Sequence, residues 1–281
     1  MTAVVAFVVG LVTVRFLRLV SGGILASPAL VRTNYRDHTV ATAGGLFIIF
    51  SVLVIDAGRS VLGAIGVGSE SGLTQARLAV LFAVFGFGFL GLVDDLAAVG
   101  EDRGFRGHLG ALREGRVTTG VLKLLGGAAV VIVIVAMPGF KSGRTLIVDA
   151  ALIALAANLG NLLDRAPGRT IKFGLVAYVP IAIAVGTTPI GIAAAPVMGA
   201  SLGLLPDDLR ERLMLGDTGA NVIGAVLGLT VVLGSRDSIR LAVMLVLLAL
   251  NVAAELVSFS RVIDAVPPLR WFDRLGSRRP H

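Results

Sequence analysis

The stretch RLAVLFAVFGFGFLGLVDD, residues 77–95, has no charged side chain between Arg77 and Asp94. An apolar run of this length can cross the hydrocarbon core of a bilayer as one helix, and we expect that helix over Arg77–Val93. The run ends in two adjacent carboxylates, and ionisable groups at membrane depth are costly unless they serve a function. The stretch therefore predicts a membrane-spanning helix with a candidate functional group at one end.

The composition of the whole chain favours the same interpretation. Of its 281 residues, 56% are hydrophobic and 15% are charged, and the mean hydropathy is +0.90, whereas a soluble globular domain has about 25% charged residues. The chain has no cysteine, which excludes a secreted disulfide scaffold. Its 36 glycines suit helices that pack closely in a membrane. We predict one all-α domain, residues 1–281, built as a polytopic membrane helical bundle.

Apolar runs predict about nine transmembrane helices. They are expected near Thr2–Val20, Thr39–Ala57, Arg77–Val93, Gly120–Gly139, Thr145–Leu163, Ile171–Gly186, Thr188–Leu205, Gly216–Gly234 and Ile239–Ser258. The run from Ile171 to Leu205 is interpreted as two crossings because its length, roughly 35 residues, is too great for one. The Val61–Gly68 stretch is too short to span and is interpreted as a loop at the interface.

The distribution of Lys and Arg predicts the orientation. Of the 25 Lys and Arg residues, 19 fall on one set of connections and six on the other. The positive-inside rule makes the richer side cytoplasmic, which places the N-terminus outside, the C-terminus inside and a basic cytoplasmic tail at residues 259–281. The net charge of +7 and the pI of about 10.9 do not indicate nucleic-acid binding, because the cations are spread over short loops.

Acidic and amide residues concentrate on that cytoplasmic side, at or near helix ends. They are Asp94, Asp95, Asn158, Asn161, Asp164, Asp207, Asp208 and Asp217. Two neighbouring carboxylates such as Asp94 and Asp95 repel each other unless a cation or a proton intervenes. The pair indicates a divalent metal, a phosphate-bearing substrate held through one, or a proton-transfer role; the alternative is an ordinary solvated helix end.

Two further segments carry candidate binding groups. Leu215–Asn221 opens a helix with glycine on both sides of Asp217, which suits a phosphate at the free amides and Mg²⁺ on the carboxylate, although Asp and Thr also serve as plain N-caps. Asn158, Asn161 and Asp164 are spaced at i, i+3 and i+6, so neighbouring members share a helix stripe. That stripe suits recognition of a nucleobase, ribose or sugar, or else hydrogen bonding between helices.

Cations near the candidate site can bind anions. The loop from Arg32 to Gly45 combines cations with hydroxyls such as that of Thr42, and we expect Arg36 and backbone amides there to bind phosphate. Lys123, near the start of the fourth predicted span, can reach an anion by snorkelling. His38 has no metal-ligand partner nearby in the sequence and is interpreted as a loop residue.

In order and spacing, these motifs resemble the polyprenyl-phosphate N-acetylhexosamine-1-phosphate transferase superfamily, glycosyltransferase family 4. This family includes the phospho-N-acetylmuramoyl-pentapeptide translocases. The similar motifs are Asn34-x-Arg36-x-x-x-Val40-x-x-x-Gly44-Gly45, Gly91-x-x-Asp94-Asp95, the Gly107–Lys123 loop, Asn158-x-x-Asn161-x-x-Asp164 and Gly216-Asp217-Thr218-Gly219. The resemblance runs from about residue 30 to 235 and rests on all five motifs together.

The resemblance implies a reaction and a set of roles. The phosphate of a polyprenyl lipid attacks the β-phosphate of a UDP-sugar at the cytoplasmic face of the bacterial plasma membrane, giving a lipid-linked pyrophosphoryl sugar and UMP. By position, Asp217 is implied to bind Mg²⁺ and to be catalytic together with Asp94 and Asp95. The resemblance further implies substrate contacts from Arg36, Thr42, Lys123, Asn158, Asn161 and Asp164. The sequence leaves open whether the chain forms a homodimer.

The chain also departs from the family pattern. The family's second aspartate in the third motif is Pro167 here, a lysine usual after the aspartate pair is Ala98, and the histidine-rich loop is missing. These departures keep open a catalytically silent homologue that binds polyprenyl phosphate or a partner enzyme. Alternatively, Arg165 or Arg169 can meet a phosphate in place of the lost group. A transporter is disfavoured because the two halves show no repeat.

Overall fold

The computed structural model describes residues 2–21, 27–33, 37–68, 73–97, 119–138, 140, 143 and 145–277. These residues are almost entirely helical. The helices are α1 (Ala3–Val20), α2 (Leu46–Ala64), α3 (Gln75–Ala97), α4 (Thr119–Val135), α5 (Leu146–Leu163), α6 (Arg169–Val185), α7 (Pro189–Leu209), α8 (Gly216–Gly234), α9 (Asp237–Leu256), α10 (Phe259–Ala265) and α11 (Pro267–Arg274). A 3₁₀ turn (Pro28–Leu30) leads into a two-stranded antiparallel sheet of β1 (Val31–Thr33) and β2 (Thr39–Ala41).

The chain is an all-α, multi-pass membrane protein. Among the described residues, seven helices are long and apolar enough to cross a membrane: α1, α2, α3, α5, α7, α8 and α9. The apolar helix α4 is slightly shorter, at 17 residues. Helix α6 also has 17 residues and begins with two buried cations, Arg169 and Lys172. The count of nine spans and the orientation of the termini stay predictions.

Helix α2 departs from the predicted boundaries at both ends. It begins at Leu46, because Thr39–Ala41 pair with Val31–Thr33 as a strand. The prediction of a loop over Val61–Gly68 is wrong in its first half, since α2 continues through Ala64. The helix ends where Gly66 takes a φ of 78°, a left-handed conformation that glycine adopts easily. The other long helices lie within a few residues of their predicted bounds.

Helix α8 is the centre of the bundle and is almost fully buried. It packs against α2, α3, α5, α6 and α7. Small residues allow these contacts: a Cβ at Gly224 would lie 2.1 Å from the carbonyl oxygen of Ala156 in α5. Close approach of helix backbones through small residues is the usual packing mode in membranes. Helix α9, in contrast, exposes most of its surface, as expected for a helix that faces lipid.

Two buried ion pairs lie at the end of the bundle opposite the candidate site. Arg77 Nε lies 2.6 Å from Asp56 Oδ1 and joins α3 to α2. Arg240 Nη1 lies 2.6 Å from Asp149 Oδ2 and joins α9 to α5. Such pairs fix helices relative to one another, because removing one partner leaves an uncompensated buried charge.

Candidate active site

Four helices bring polar side chains together at the other end of the bundle. Asp94 lies in the last turn of α3, Lys123 in the first turns of α4, Asn161 in the last turn of α5 and Asp217 in the first turn of α8. These groups are separated in the sequence by up to 123 residues and come from four different predicted motifs. The structure therefore gathers them as the common sidedness of those motifs predicts.

Asp217 is the hub of this cluster. Its Oδ2 accepts hydrogen bonds from Lys123 Nζ and from Asn161 Nδ2, the latter at 2.8 Å. Lys123 Nζ also lies 3.4 Å from Asp94 Oδ2. The side chains of Asp94, Lys123 and Asp217 are each a little over one-fifth exposed, so a ligand can reach them. One ammonium group thus joins two carboxylates at an accessible position.

Asp95 has a different surrounding from its neighbour Asp94. Its Oδ1 accepts the backbone N–H of Asp217 at 3.0 Å, and its Oδ2 accepts the N–H and the hydroxyl of Thr218 at 3.0 and 2.6 Å. These N–H groups belong to the first turn of α8 and have no acceptor within that helix. Asp95 is therefore an N-cap supplied by another helix, and it holds Asp217 in place through the backbone.

Glycines allow the backbones around the aspartates to approach this closely. A Cβ on Gly91 would lie 2.3 Å from the carbonyl oxygen of Asp217, so α3 meets the start of α8 at a point where no side chain fits. Gly216 has a φ of 70°, and a Cβ there would lie 2.6 Å from Asp95 Oδ2. Both positions require glycine for steric reasons.

The segment before α2 supports the same corner from the other side. Met214 donates its N–H to Ala41 at 2.7 Å, and Gly44 and Gly45 donate theirs to Met214 and Leu215, both at 2.9 Å. Arg32, on β1, donates to the carbonyl oxygens of Asp95 and Leu96 at 2.9 and 3.1 Å. A cation at these carbonyls is favourable because they carry the negative end of the helix dipole. The hairpin thereby orients the end of α3 and the start of α8.

A pocket of about 180 Å³ lies beside the cluster. Its lining comes from Thr33, Asp164, Arg165, Ala166, Pro167, Asp208, Glu211, Leu213, Met214 and Leu215. Burial raises the pKa of Asp164 well above its usual range, and the charges of Asp208, Asp217 and Asp95 act in the same direction. Thr170 donates its hydroxyl to Asp164 Oδ1 at 3.3 Å. In its protonated form the Asp164 carboxyl can donate a hydrogen bond to a ligand in this pocket.

Some predicted site residues lie apart from the cluster. Asn158 donates its amide to Asn251 Oδ1 at 2.6 Å and so joins α5 to α9. Thr42 is 2% exposed, and its N–H donates to Leu30 at 2.6 Å. Arg36 lies outside the described residues. The substrate contacts expected of these three residues stay predictions.

The hypothesis that Arg169 meets a phosphate is wrong. Its guanidinium is buried and makes a bidentate ion pair with Asp273 at 2.7 and 2.9 Å, and it also donates to the Ser260 hydroxyl at 2.8 Å. The sequence pattern could not show this, because the partner lies 104 residues away in α11. Arg165, by contrast, is exposed and lines the pocket.

The donor set for a metal is small in the part of the chain that the structure describes. No group of three or more His, Asp or Glu side chains is placed there to hold a metal ion. Asp94 and Asp217 do converge on one cation, the ammonium of Lys123. Two carboxylates fit Mg²⁺, which commonly binds one or two carboxylates together with substrate phosphates and water.

Comparison with known proteins finds transferases among the relatives of this chain. A phospho-N-acetylmuramoyl-pentapeptide-transferase of Deinococcus radiodurans is 29% identical over 69% of this chain and 62% of its own length. Proteins of the same name from Borreliella afzelii and Oceanobacillus iheyensis are each 25% identical, over 84% and 98% of this chain and 74% and 89% of their own lengths. The resemblance to these transferases is confirmed. No family model matches the chain.

The sequence does not show the partners of several residues that shape the site. Arg32 lies in the same loop as the first transferase-like motif, but its contacts with α3 depend on the hairpin. Thr218 is part of the Gly216–Gly219 motif, and its residue type predicts a position at a helix start. The sequence does not show that its partner is Asp95. Asp208 is one of the acidic residues that the sequence places at helix ends, but the sequence does not show its partner. It accepts the N–H of Gly168 at 3.0 Å and so holds the turn beside the pocket.

Proposed function

We propose that this chain transfers an N-acetylhexosamine-type sugar-1-phosphate from a UDP-sugar to a polyprenyl phosphate and releases UMP, in cell-envelope glycan synthesis. One observation carries the proposal: at one end of the helical bundle, Lys123 lies between the carboxylates of Asp94 and Asp217 and contacts both. The names of the relatives support it, because they are transferases of a phosphorylated N-acetylmuramoyl-pentapeptide. Which sugar this chain transfers is part of the test below.

The proposed reaction assigns a different task to each group. An oxygen of the lipid phosphate attacks the β-phosphorus of the donor, the bond between that phosphorus and the bridging oxygen breaks, and UMP leaves with the oxygen. Asp94, the aspartate without the capping task, accepts the proton of the lipid phosphate. Lys123 offsets the charge that develops on the phosphates, and Asn161 orients Asp217. Asp95 positions Asp217 and is not itself the base.

Mg²⁺ is part of this proposal, with Asp217 as its main ligand and Asp94 as a second carboxylate. When bound, the ion supplies positive charge for the pyrophosphate oxygens. Lys123 offsets the charge of the same two carboxylates. Lys123 would then turn toward a phosphate once the substrate binds.

The surface next to Lys123 suits a lipid acceptor. Leu122, Leu124 and Leu125 on α4 are 47, 65 and 61% exposed, and Phe89 on α3 is 65% exposed. A polyprenyl chain can lie on such an apolar surface while its phosphate reaches the ammonium group. The polar lining of the pocket at Asp164 and Arg165 suits the donor.

A catalytically silent homologue that binds polyprenyl phosphate is the second candidate. The ion pair between Lys123 and Asp217 favours it, because a carboxylate that keeps this partner is less available to a metal. Pro167 favours it as well, since the resembling family has a carboxylate there. The two candidates differ in turnover and not in lipid binding.

The test uses the purified full chain in detergent with polyprenyl phosphate, Mg²⁺ and a panel of UDP-sugars, and it measures UMP release. We expect release that requires both lipid and metal and that is lost in Asp217→Asn. The matched control is Glu255→Gln, an exposed carboxylate at the same end of the bundle that makes no side-chain hydrogen bond or ion pair among the described residues. Retained lipid binding without release from any donor would favour the silent homologue and overturn the transferase.

A further inference from the structure

The C-terminal helices α10 and α11 lie at the same end of the bundle as the candidate site. Helix α9 ends at Leu256, and α10 begins at Phe259 after only two residues. Helix α11 then contacts the first turn of α6, a helix of the bundle. Because both attachments are at helix ends on the side of the candidate site, the pair lies on that face of the bundle.

Buried polar contacts fix α11 on α6. Asp273 pairs with Arg169, and both side chains are only 1% exposed. Lys172, one turn further along α6, donates to the carbonyl oxygens of Phe272, Asp273 and Leu275 at the end of α11. Phe272 also packs edge-on against Phe173, with ring centroids 5.4 Å apart. The inner side of α11 is therefore fully engaged with the bundle.

The outer side of the pair combines apolar and cationic side chains. Trp271 is 67% exposed and Leu275 is 50% exposed, one turn apart. Arg261 and Arg270 are exposed beside them, and neither pairs with a carboxylate in the described part of the chain. Arg274 shares its charge with Asp264 at 3.3 Å. The surface thus presents an aromatic and aliphatic face with excess positive charge.

We propose that the outer face of α10 and α11 binds the anionic headgroup region of the membrane. Tryptophan is enriched at the membrane–water interface, where its ring is apolar and its N–H is polar. Arginines next to an apolar face are attracted to anionic lipids, each by an amount that corresponds to roughly a fivefold change in binding. A water-soluble partner would leave these apolar groups uncovered whenever it dissociates, whereas the membrane is always within reach.

The test uses a property of this chain, which has one tryptophan and therefore reports on Trp271 alone. The full chain is reconstituted into nanodiscs of phosphatidylcholine alone or of phosphatidylcholine with phosphatidylglycerol. We expect Trp271 emission to shift to shorter wavelength in the anionic nanodiscs, with quenching by lipids brominated on their acyl chains and protection from aqueous acrylamide. Replacing Arg261 and Arg270 together by Gln should shift the equilibrium between membrane-bound and water-exposed Trp271 roughly 25-fold toward exposure if both contributions add, and the protection from acrylamide should fall accordingly.

The matched control is Arg236→Gln, an exposed arginine just before the other end of α9. It should leave the Trp271 signal unchanged. Equal shielding of Trp271 in neutral and anionic nanodiscs would overturn the proposal, as would emission that stays that of a water-exposed indole. Shielding from acrylamide without quenching by brominated lipid would also overturn it, because a second copy of the chain would then cover this face.

Discussion

Asp94 and Asp95 are neighbours in the chain but perform different tasks in the structure. Successive residues of a helix point about 100° apart, so two adjacent side chains cannot face the same partner. Asp95 faces the first amides of α8, whereas Asp94 faces Lys123. In the proposed mechanism Asp95 is therefore the positioning residue of the pair and Asp94 the base, while the predicted catalytic role of Asp95 stays a prediction.

Alanine substitution should separate these two tasks. Asp95→Ala removes the cap of α8 and leaves two N–H groups and a hydroxyl without their acceptor, so we expect a loss of about 2 kcal/mol in stability. Asp94→Ala leaves Lys123 with its second partner, Asp217, and should cost less than about 1 kcal/mol. Thermal unfolding in detergent measures both. Equal destabilisation by the two variants would contradict the assignment.

The same pair of variants should differ in a second measurement. Asp94→Ala should reduce UMP release at least about 100-fold, as expected when a general base is removed, while lipid binding remains. Measuring turnover at a temperature at which both variants are folded separates lost chemistry from lost structure. Normal turnover in Asp94→Ala would remove this residue from the mechanism.

The buried pair of Arg169 and Asp273 makes a second prediction. Asp273→Ala leaves a buried guanidinium without its counter-charge and should cost about 3–5 kcal/mol. Arg169→Met combined with Asp273→Leu should recover most of that loss, because apolar side chains can replace a buried ion pair. Thermal unfolding measures all three proteins.

The exposed pair of Asp264 and Arg274 provides the control for this experiment. Asp264→Ala should change stability by less than about 1 kcal/mol, since exposed ion pairs contribute little. If the double variant were as unstable as Asp273→Ala, the loss in Asp273→Ala would not come from an uncompensated buried charge.

At the scale of elements, the contact between α3 and α8 decides the geometry of the candidate site. The two backbones touch at Gly91 and Asp217, so any side chain at Gly91 must push the helices apart. Asp94 lies less than one turn beyond Gly91. Its distance from Asp217 therefore depends directly on this contact.

We expect Gly91→Ala to lower stability by about 1–3 kcal/mol through overpacking. It should also reduce turnover roughly 100-fold, because a shift of about 1 Å misplaces the reacting groups. The matched control is Gly127→Ala on the facing helix α4, where an added Cβ would meet only the Phe87 ring at 3.8 Å. UMP release and thermal unfolding distinguish the two, and unchanged turnover in Gly91→Ala would show that the contact is not needed.

The elements differ in how far the sequence predicts them. Apolar runs locate the long helices because each run must span the bilayer. They do not locate β1 and β2, whose three-residue strands are too short for a recognisable alternation. The apolar run of α3 ends at Val93, whereas the helix continues to Ala97. The run is shorter because the helical hydrogen bonds continue beyond the last apolar residue.

At the scale of the whole molecule, the predicted orientation can be tested with single cysteines. The chain has no native cysteine, so each introduced one is labelled without background. Ser238 and Ser258 are both exposed and lie at opposite ends of α9. With the C-terminus inside, a membrane-impermeant maleimide should label Ser238→Cys in intact cells and Ser258→Cys only after the membrane is opened. The reverse pattern would invert the orientation and place the candidate site outside the cell.

The sequence by itself determined that this chain is a helical membrane protein and which residues carry its polar motifs. Hydrophobic run length and motif order are local properties, so they can be read without a fold. Only the tertiary structure decided that Asp95 caps α8, that Asn158 pairs with Asn251 and that Arg169 forms a buried ion pair with Asp273. Each of these partners lies 90 or more residues away in the chain, and such contacts arise only once the helices pack through their small residues.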